Sequence, residues 1–418
     1  MSQPPEVLHV GWMTRAVAAL GRAGARVTCV VAPADAETAR NSEARPRVLV
    51  VPDPTNTEGV LAALARNNLF TSDFAAVCSG LEFCLTSAAV ISDLGGSGSA
   101  ATRRTLAMRD KAVQKSRVRD AGVPTARCAV VDDLDAVPAA VNFPSVLKPL
   151  DGGGARNTFL INGPESLQTS LESAAQSGSG PWLVEEFIPG QEFQVDGLIR
   201  GGEIKVLSIS RYLQNLIEVH NGGLVAHIAL PPAECPDLYA DTRAVVESSL
   251  KALECEDGVF HLEVFVEEGR VVFGECAARV GGGRTDDVVE RAFGVGLRDE
   301  WARLVLGRPT EVVAEPVHSE GVVFGGMNLP APQGLVRSVP TAAEVLARPG
   351  VVHAEIDTRA GAVMPDVTVA SHLRAGLAVV SGADVRETEA RMRGLADWFA
   401  SSVTFEPTAP ETADESAR

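Results

Sequence analysis

The chain reads as an α/β protein (α+β in its centre), with an N-terminal parallel β/α domain, a core of crowded short strands and a strand-rich C-terminal domain. Three observations carry this expectation. Apolar runs alternate with helical stretches near the N-terminus, short strands crowd the region 126–279, and strands return after about residue 318. The boundaries expected are 1–102, 103–318, 319–404, and a tail at 405–418.

Taken in order, VLHVGW at 7–12 is a buried strand, 13–24 a helix ended by Gly24, and 26–32 a second strand. VLVVP at 48–52, a helical stretch at 57–68 and AAVCSG at 75–80 repeat the alternation, which requires a parallel sheet covered on both faces. No G-x-G-x-x-G follows the first strand, so Gly95-Gly96-Ser97-Gly98 reads as a flexible connector. A basic helix spans 103–121 and stops at Gly122 with Pro124 beyond. Strands are expected at 126–131, 144–149, 157–161, 181–187, 192–200, 203–209, 225–230, 259–266 and 270–279, with helices at 164–175, 237–253 and 286–306. Further strands at 320–328, 351–357 and 367–370 precede a helix at 384–400. The tail from Phe405, rich in Pro, Thr and Glu, is expected to be disordered.

Composition narrows the function. A formal net charge of −17 disfavours nucleic acid and anionic lipid as partners. No apolar run reaches the roughly 18 residues that a membrane span needs, and the N-terminus lacks the basic and apolar segments of a signal peptide. Seven scattered cysteines without a C-x-x-C pair argue against a disulfide framework or a zinc site and fit a reducing cytoplasm. Only five of the 37 basic residues are lysines: Lys111, Lys115, Lys148, Lys205 and Lys251. A chain this biased to arginine keeps some lysines where a compact, mobile point charge is needed.

Val146-Leu147-Lys148-Pro149 delivers one of them at a strand end, directly before Asp151-Gly152-Gly153-Gly154-Ala155. Three glycines free the backbone to close its N–H groups over an anion, although the spacing is not that of a P-loop and a plain hairpin turn is the bland alternative. Trp182–Glu192 then forms a strand that stops at Pro189-Gly190 with carboxylates on both sides. Backbone at such a linker can meet a base edge, and a carboxylate beyond it can accept from hydroxyls.

Residues 259–279 read as a hairpin around Glu267-Glu268-Gly269-Arg270. Glu275, Ala277 and Arg279 share one face because strand side chains alternate. A connection of odd length brings Glu263 to that face as well, whereas a two-residue turn sends it to the other. Two acids on one face among apolar neighbours call for a cation, and magnesium suits a site completed by phosphates and water. Arg279 can hold a carboxylate or a transferring phosphoryl group. It leads into Val280-Gly281-Gly282-Gly283-Arg284.

In this order the elements resemble the ATP-grasp superfamily, on the side of its carboxylate–amine ligases of the L-amino-acid and dipeptide type. The residues are Lys111 in R-D-K-x₉-A-G-V-P-T, Lys148 with its glycine loop, E-E-F-I-P-G-Q-E, H-L-E-V-F-V, and E-C-A-A-R-V-G-G-G, spread over about 105–300. The resemblance implies a pre-ATP-grasp domain at the N-terminus, a two-lobed ATP-grasp core with a lid subdomain at about 124–186, and roles for particular residues. Lys111 and Lys148 would grip ATP phosphates under Gly152, Gly153 and Gly154, while Glu185, Glu186 and Ile188 would meet adenine and Glu192 the ribose. Glu263 and Glu275 would bind one or two Mg²⁺, with Mn²⁺ as a substitute. Arg279 and Lys148 would serve catalysis, and Arg279, Gly281, Gly282, Arg284 and Arg211 the substrate. The implied reaction is amide formation through an acyl phosphate, with release of ADP and phosphate and an amino acid as acyl donor.

The family's E-x-N-x-R here reads E-x-A-x-R, because Ala277 stands where Asn is a further metal ligand. A carboxylase or purine-pathway enzyme of the superfamily is the alternative, and a non-catalytic nucleotide-binding regulator is the alternative from another class. The partners implied are a small carboxylate and an amine; a homodimer and a carrier-bound acceptor stay open.

Overall fold

The computed structural model describes residues 3–96, 101–177 and 180–407. Ser97 and Gly98 of the expected connector, and 408–418 of the expected tail, lie outside the described residues.

The N-terminal alternation folds into a four-stranded parallel sheet in the order Arg47–Val50, Arg26–Val31, Glu6–Val10, Ala76–Cys78. Buried Val7, Leu20 and Val31 pack in one core with Val289, Trp301 and Val259 of the central region, so the two regions share an apolar interface. A four-stranded antiparallel sheet forms the lid: Cys128–Val131, Trp182–Glu186, Ser145–Pro149 and Phe159–Ile161. It has its own small core of Val131, Leu147, Ile161, Trp182 and Val184.

The largest sheet has eight antiparallel strands, and it joins the centre of the chain to the C-terminal part. Its order is Arg270–Ala277, Gly258–Glu267, Gln191–Arg200, Glu203–Tyr212, Ala226–Ala229, Val323–Leu329, Gly376–Gly382 and Val351–Ile356. Three C-terminal strands therefore extend the central sheet, while Val363–Met364, Gly334–Ser338 and Thr404–Glu406 form a small antiparallel sheet of their own. Thr404–Glu406 pairs with Gly334–Ser338, so Phe405 lies in an ordered edge strand and not in a disordered tail.

Several expected elements differ for local physical reasons. The single basic helix is two, Ala101–Arg109 and Lys111–Asp120, because Asp110 leaves helical geometry and its carboxylate caps the Val113 N–H at 2.8 Å. That cap makes Lys111 the first residue of the second helix and puts Lys115 four residues on, on the same buried face. The stretch 286–306 also divides, into Thr285–Phe293 and Leu297–Val305, at Gly294 with φ +72°. The strand expected at 367–370 is a 3₁₀ turn, Val367–Val369, capped by Asp366 through the Thr368 N–H at 2.9 Å.

The carboxylate hairpin resolves the register question by a route that turn length alone does not reveal. Glu267 pairs with Arg270, so the turn is the two-residue Glu268-Gly269, with φ +49° and +81°. Regular pairing from that turn would set Glu263 opposite Gly274. A β-bulge at Gly274 instead shifts the register by one, and Glu263 pairs directly with Glu275. A Cβ on Gly274 would lie 2.9 Å from the Glu263 carbonyl oxygen and 3.1 Å from the Phe265 ring. Gly274→Ala should therefore lower the unfolding free energy by roughly 1–3 kcal/mol, seen as a lower melting temperature; an unchanged melting curve would show that the bulge tolerates a side chain.

Candidate active site

The lid and the large sheet enclose a cleft of about 900 Å³ including its mouth. The lid contributes Lys148, Gly152, Gly153, Gly154, Glu185, Glu186, Phe187 and Ile188, and the sheet contributes Glu192, Glu263 and Glu275. Lys111 and Lys115 enter from the helix Lys111–Asp120, and Asn215, Leu216 and Ile217 from the 3₁₀ turn after Tyr212.

The floor is ordered by register. Glu275, Glu263, Gln194 and Ser210 form one row across four strands, and Ala277, His261, Asp196 and Ser208 form the next on the same face. Arg211 belongs to the row beyond the first, with Phe193 and Val264. It therefore lies on the opposite face, where it pairs with Glu389 at 2.6 Å. Strand alternation thus removes Arg211 from the cleft where the sequence had placed it among substrate contacts.

The charges interlock. Lys111 Nζ donates to the Gly152 carbonyl at 2.8 Å and lies 3.4 Å from Glu275 Oε2. Lys148 Nζ is 2.5 Å from Glu185 Oε1 and 3.9 Å from Glu275. The other Glu185 oxygen meets Lys115 Nζ at 2.8 Å, as an ion contact outside hydrogen-bond geometry. Burial alone would raise the carboxyl pKa values of Glu185 and Glu275, but the surrounding lysines hold both at about 2. Lys148 is pushed upward: burial opposes this, and Glu185 and Glu275 outweigh it.

The side chain of Glu185 is thus committed to two lysines, and its backbone lies paired between Cys128 and Val146 in the lid sheet, so the base edge that the resemblance implied falls to the residues after it. Glu186 sits at the rim beside Arg127, 3.3 Å away. Glu192 is buried and accepts the Leu216 N–H at 2.6 Å; burial, then neighbouring Glu263, pushes its carboxyl up to about 8. Asn215 braces the linker, accepting from the Glu192 N–H at 2.9 Å and donating to the Gly190 carbonyl at 2.8 Å.

The donor set fits a hard divalent cation. Glu263 and Glu275 face each other across the hairpin. Among the described residues, no three His, Cys, Asp or Glu side chains gather closely enough to hold an ion without other ligands. A magnesium ion that takes one or two carboxylates and draws its remaining ligands from phosphates and water suits such a pair. At the place of the extra family ligand, the cross-strand neighbour of the Ala277 methyl is His261. Its Nδ1 is 2.8 Å from Asp196 and its Nε2 3.7 Å from Glu263. Burial works against protonation of this imidazole, but Asp196 carries its pKa up to about 10.

Beyond the cleft, Arg279 Nε is 2.5 Å from Glu82 of the N-terminal region, which also meets Arg109 at 3.4 Å. Arg284 is buried with φ +67° at the start of the helix Thr285–Phe293 and pairs with Asp287 and Glu355. Gly281 packs so closely that a Cβ would approach Asp196 and His261 to 2.7 Å. Gly282, by contrast, faces open space. Sequence reasoning missed Glu82, Asp196, His261 and Lys115. Only Lys115 carried a legible clue, its spacing of four from Lys111 in a lysine-poor chain.

Residues 116–283 match the model of the ATP-grasp domain. The chain is 25% identical over 328 residues to an L-arginine-specific L-amino acid ligase of Bacillus subtilis, covering 76% of this chain and 78% of that one. Its fold is similar to that of an L-amino acid ligase from Bacillus licheniformis, with TM-score 0.77 at 19% identity over 97% of this chain and all of that one. It is also similar in fold to a carboxyaminoimidazole ribonucleotide synthase from Aspergillus clavatus complexed with ATP, with TM-score 0.70 at 17% identity over 95% and 98% of the two chains.

The raised Glu192 carboxyl gives a signed pH effect. Its proton is held more tightly in the folded state, so the stability this contributes is complete at low pH and is lost as pH climbs from the ordinary carboxylate range through about 8. Glu192→Gln, a fixed neutral mimic, should raise the melting temperature of the metal- and nucleotide-free protein at pH 8 and leave it nearly unchanged at pH 4. An equal shift at both pH values would rule out this origin.

Proposed function

Because this chain carries an ATP-grasp domain, we propose that it is an ATP-dependent carboxylate–amine ligase, with an amino acid as acyl donor. The observation that carries the reading is the convergence of Lys111, Lys148, Glu263 and Glu275 on one cleft beneath a glycine loop. The similarity to L-amino acid ligases, in sequence and in fold, supports the choice of substrate class.

In this reading Lys111 and Lys148 hold the triphosphate, and N–H groups of the 152–154 loop close over it. The backbone at 186–188 meets the adenine edge and Glu192 the ribose hydroxyls. Glu263 and Glu275 would hold Mg²⁺, which would supply charge neutralisation for the triphosphate. An oxygen of the substrate carboxylate attacks the γ-phosphorus, the bond to the β-phosphate oxygen breaks, and ADP leaves. Arg279, fixed by Glu82, orients the carboxylate and its acyl phosphate. The amine nitrogen then attacks the acyl carbon, phosphate departs and the nitrogen loses a proton. No side-chain nucleophile is required, since positioning and charge neutralisation lower the barrier.

The fold likeness to a carboxyaminoimidazole ribonucleotide synthase supports a second reading, an ATP-grasp carboxylase. A screen of amino-acid pairs for ATP-dependent phosphate release, with product masses measured, separates the two. The ligase reading expects phosphate release that depends on an amine and a product one water lighter than its two precursors. Release that depends on bicarbonate would favour the carboxylase, and release with neither would overturn the ligase. Glu275→Gln should reduce turnover by at least about 10²-fold, as expected when a metal carboxylate is lost; near-normal turnover would sink the metal assignment.

A further inference from the structure

Three of the five lysines reach the cleft, yet one of them is not free to touch a ligand. The side chain of Lys115 is 2% exposed. Its ammonium group donates to the carbonyl of the bulge residue Gly274 at 3.0 Å and contacts Glu185 at 2.8 Å. Its neighbour Gln114 makes a paired contact with Cys276, donating to the carbonyl at 2.7 Å and accepting the N–H at 2.9 Å. Together these side chains act as a partner strand along the open edge of Arg270–Ala277, on either side of Glu275.

The second partner of Glu185 matters more for function. Lys148 touches the same carboxylate, at 2.5 Å, and is the more exposed of the two lysines, at 14% against 2%. A lone Glu185 would be a rival for the Lys148 charge whenever an anion bound there. With Lys115 fixed behind it, the buried carboxylate is already neutralised, and Lys148 can swing its charge toward the cleft without leaving an unpaired ion inside the protein.

We propose that Lys115 is a positioning residue for nucleotide binding: by neutralising Glu185 from behind, it frees Lys148 for the triphosphate. This rests on the reading of the cleft as a nucleotide site, and the test keeps the two failures apart. The probe is Mg²⁺ with the non-hydrolysable analogue AMP-PNP, titrated by calorimetry into the full chain at a temperature where each variant is folded by circular dichroism. Wild type should bind; absence of binding would overturn the nucleotide reading itself.

Lys115→Met keeps the bulk of the side chain and removes its charge. It should weaken AMP-PNP at least about tenfold, as expected for one uncompensated charge next to a phosphate-binding lysine. Glu185→Gln should bind no more weakly than wild type, because it removes the rival for Lys148. The double variant Lys115→Met/Glu185→Gln should return to within about threefold of wild type. A purely structural lysine predicts the reverse, a double variant as weak as the poorer single one. Either that result or normal binding by Lys115→Met would overturn the proposal. Should Lys115→Met fail to fold, the comparison of the double variant with Glu185→Gln decides: equal affinity supports the proposal, and a tenfold loss overturns it.

Discussion

The cleft depends on one awkward juxtaposition, two carboxylates paired directly across a hairpin. Like charges in that position repel and destabilise a sheet unless cations meet them. Lys111 and Lys148 approach Glu275 from one side, and His261, backed by Asp196, approaches Glu263 from the other. The pairing exists only because the strand bulges at Gly274, and Lys115 grips the carbonyl of that same residue. The helix that supplies Lys111 thus also holds, through Lys115, the strand geometry that makes such cations necessary. Cap, helix face, bulge and carboxylate pair form one connected device.

Its surroundings come from distant parts of the chain. Glu82 of the N-terminal region anchors Arg279, while Arg15 of the same region binds Asp286 and Asp287 at the start of a central helix. From the C-terminal part, the Ser371 N–H donates to the Gly154 carbonyl at 2.9 Å, and the ring of His220 bridges the Ala155 and Thr368 carbonyls at 3.0 and 2.8 Å. The glycine loop is therefore tied to the C-terminal segment, and contacts across all three regions set the shape of the cleft.

This division explains what could be read from residues alone. Features carried by local chemistry were legible: the parallel alternation, the lysine before its glycines, the linker at Pro189-Gly190, the acids of the hairpin. Their gathering in one cleft follows from strand order. Non-local facts were not legible. Nothing in 259–279 announces that a two-residue turn will be compensated by a bulge, since Gly274 is a single glycine within an apolar run. Arg211 was a candidate substrate contact, but face assignment needs pairing with Phe193 and Val264. Glu82 lies 197 residues from the arginine it holds. The break at Asp110 was available in principle, since an acid just before a basic helix is a cap in waiting.

The arginine bias acquires a structural meaning here. Arginines join the parts of the molecule, as Arg15, Arg22, Arg279, Arg284 and Arg298 each pair with a carboxylate from another element or from the next helical turn. A planar, permanently charged fork suits such fixed contacts between rigid bodies. The cleft has the opposite need: charges compact enough to sit among carboxylates and mobile enough to turn toward an anion when it arrives. Lys111 and Lys148 meet it, each within 4 Å of Glu275. A chain with net charge −17 would repel a nucleotide from most of its surface, so the attraction has to be local. Placing three of its five lysines at one lid and one helix face makes it so, and an arginine at Lys111 or Lys148 would trade that mobility for a second fixed ion pair.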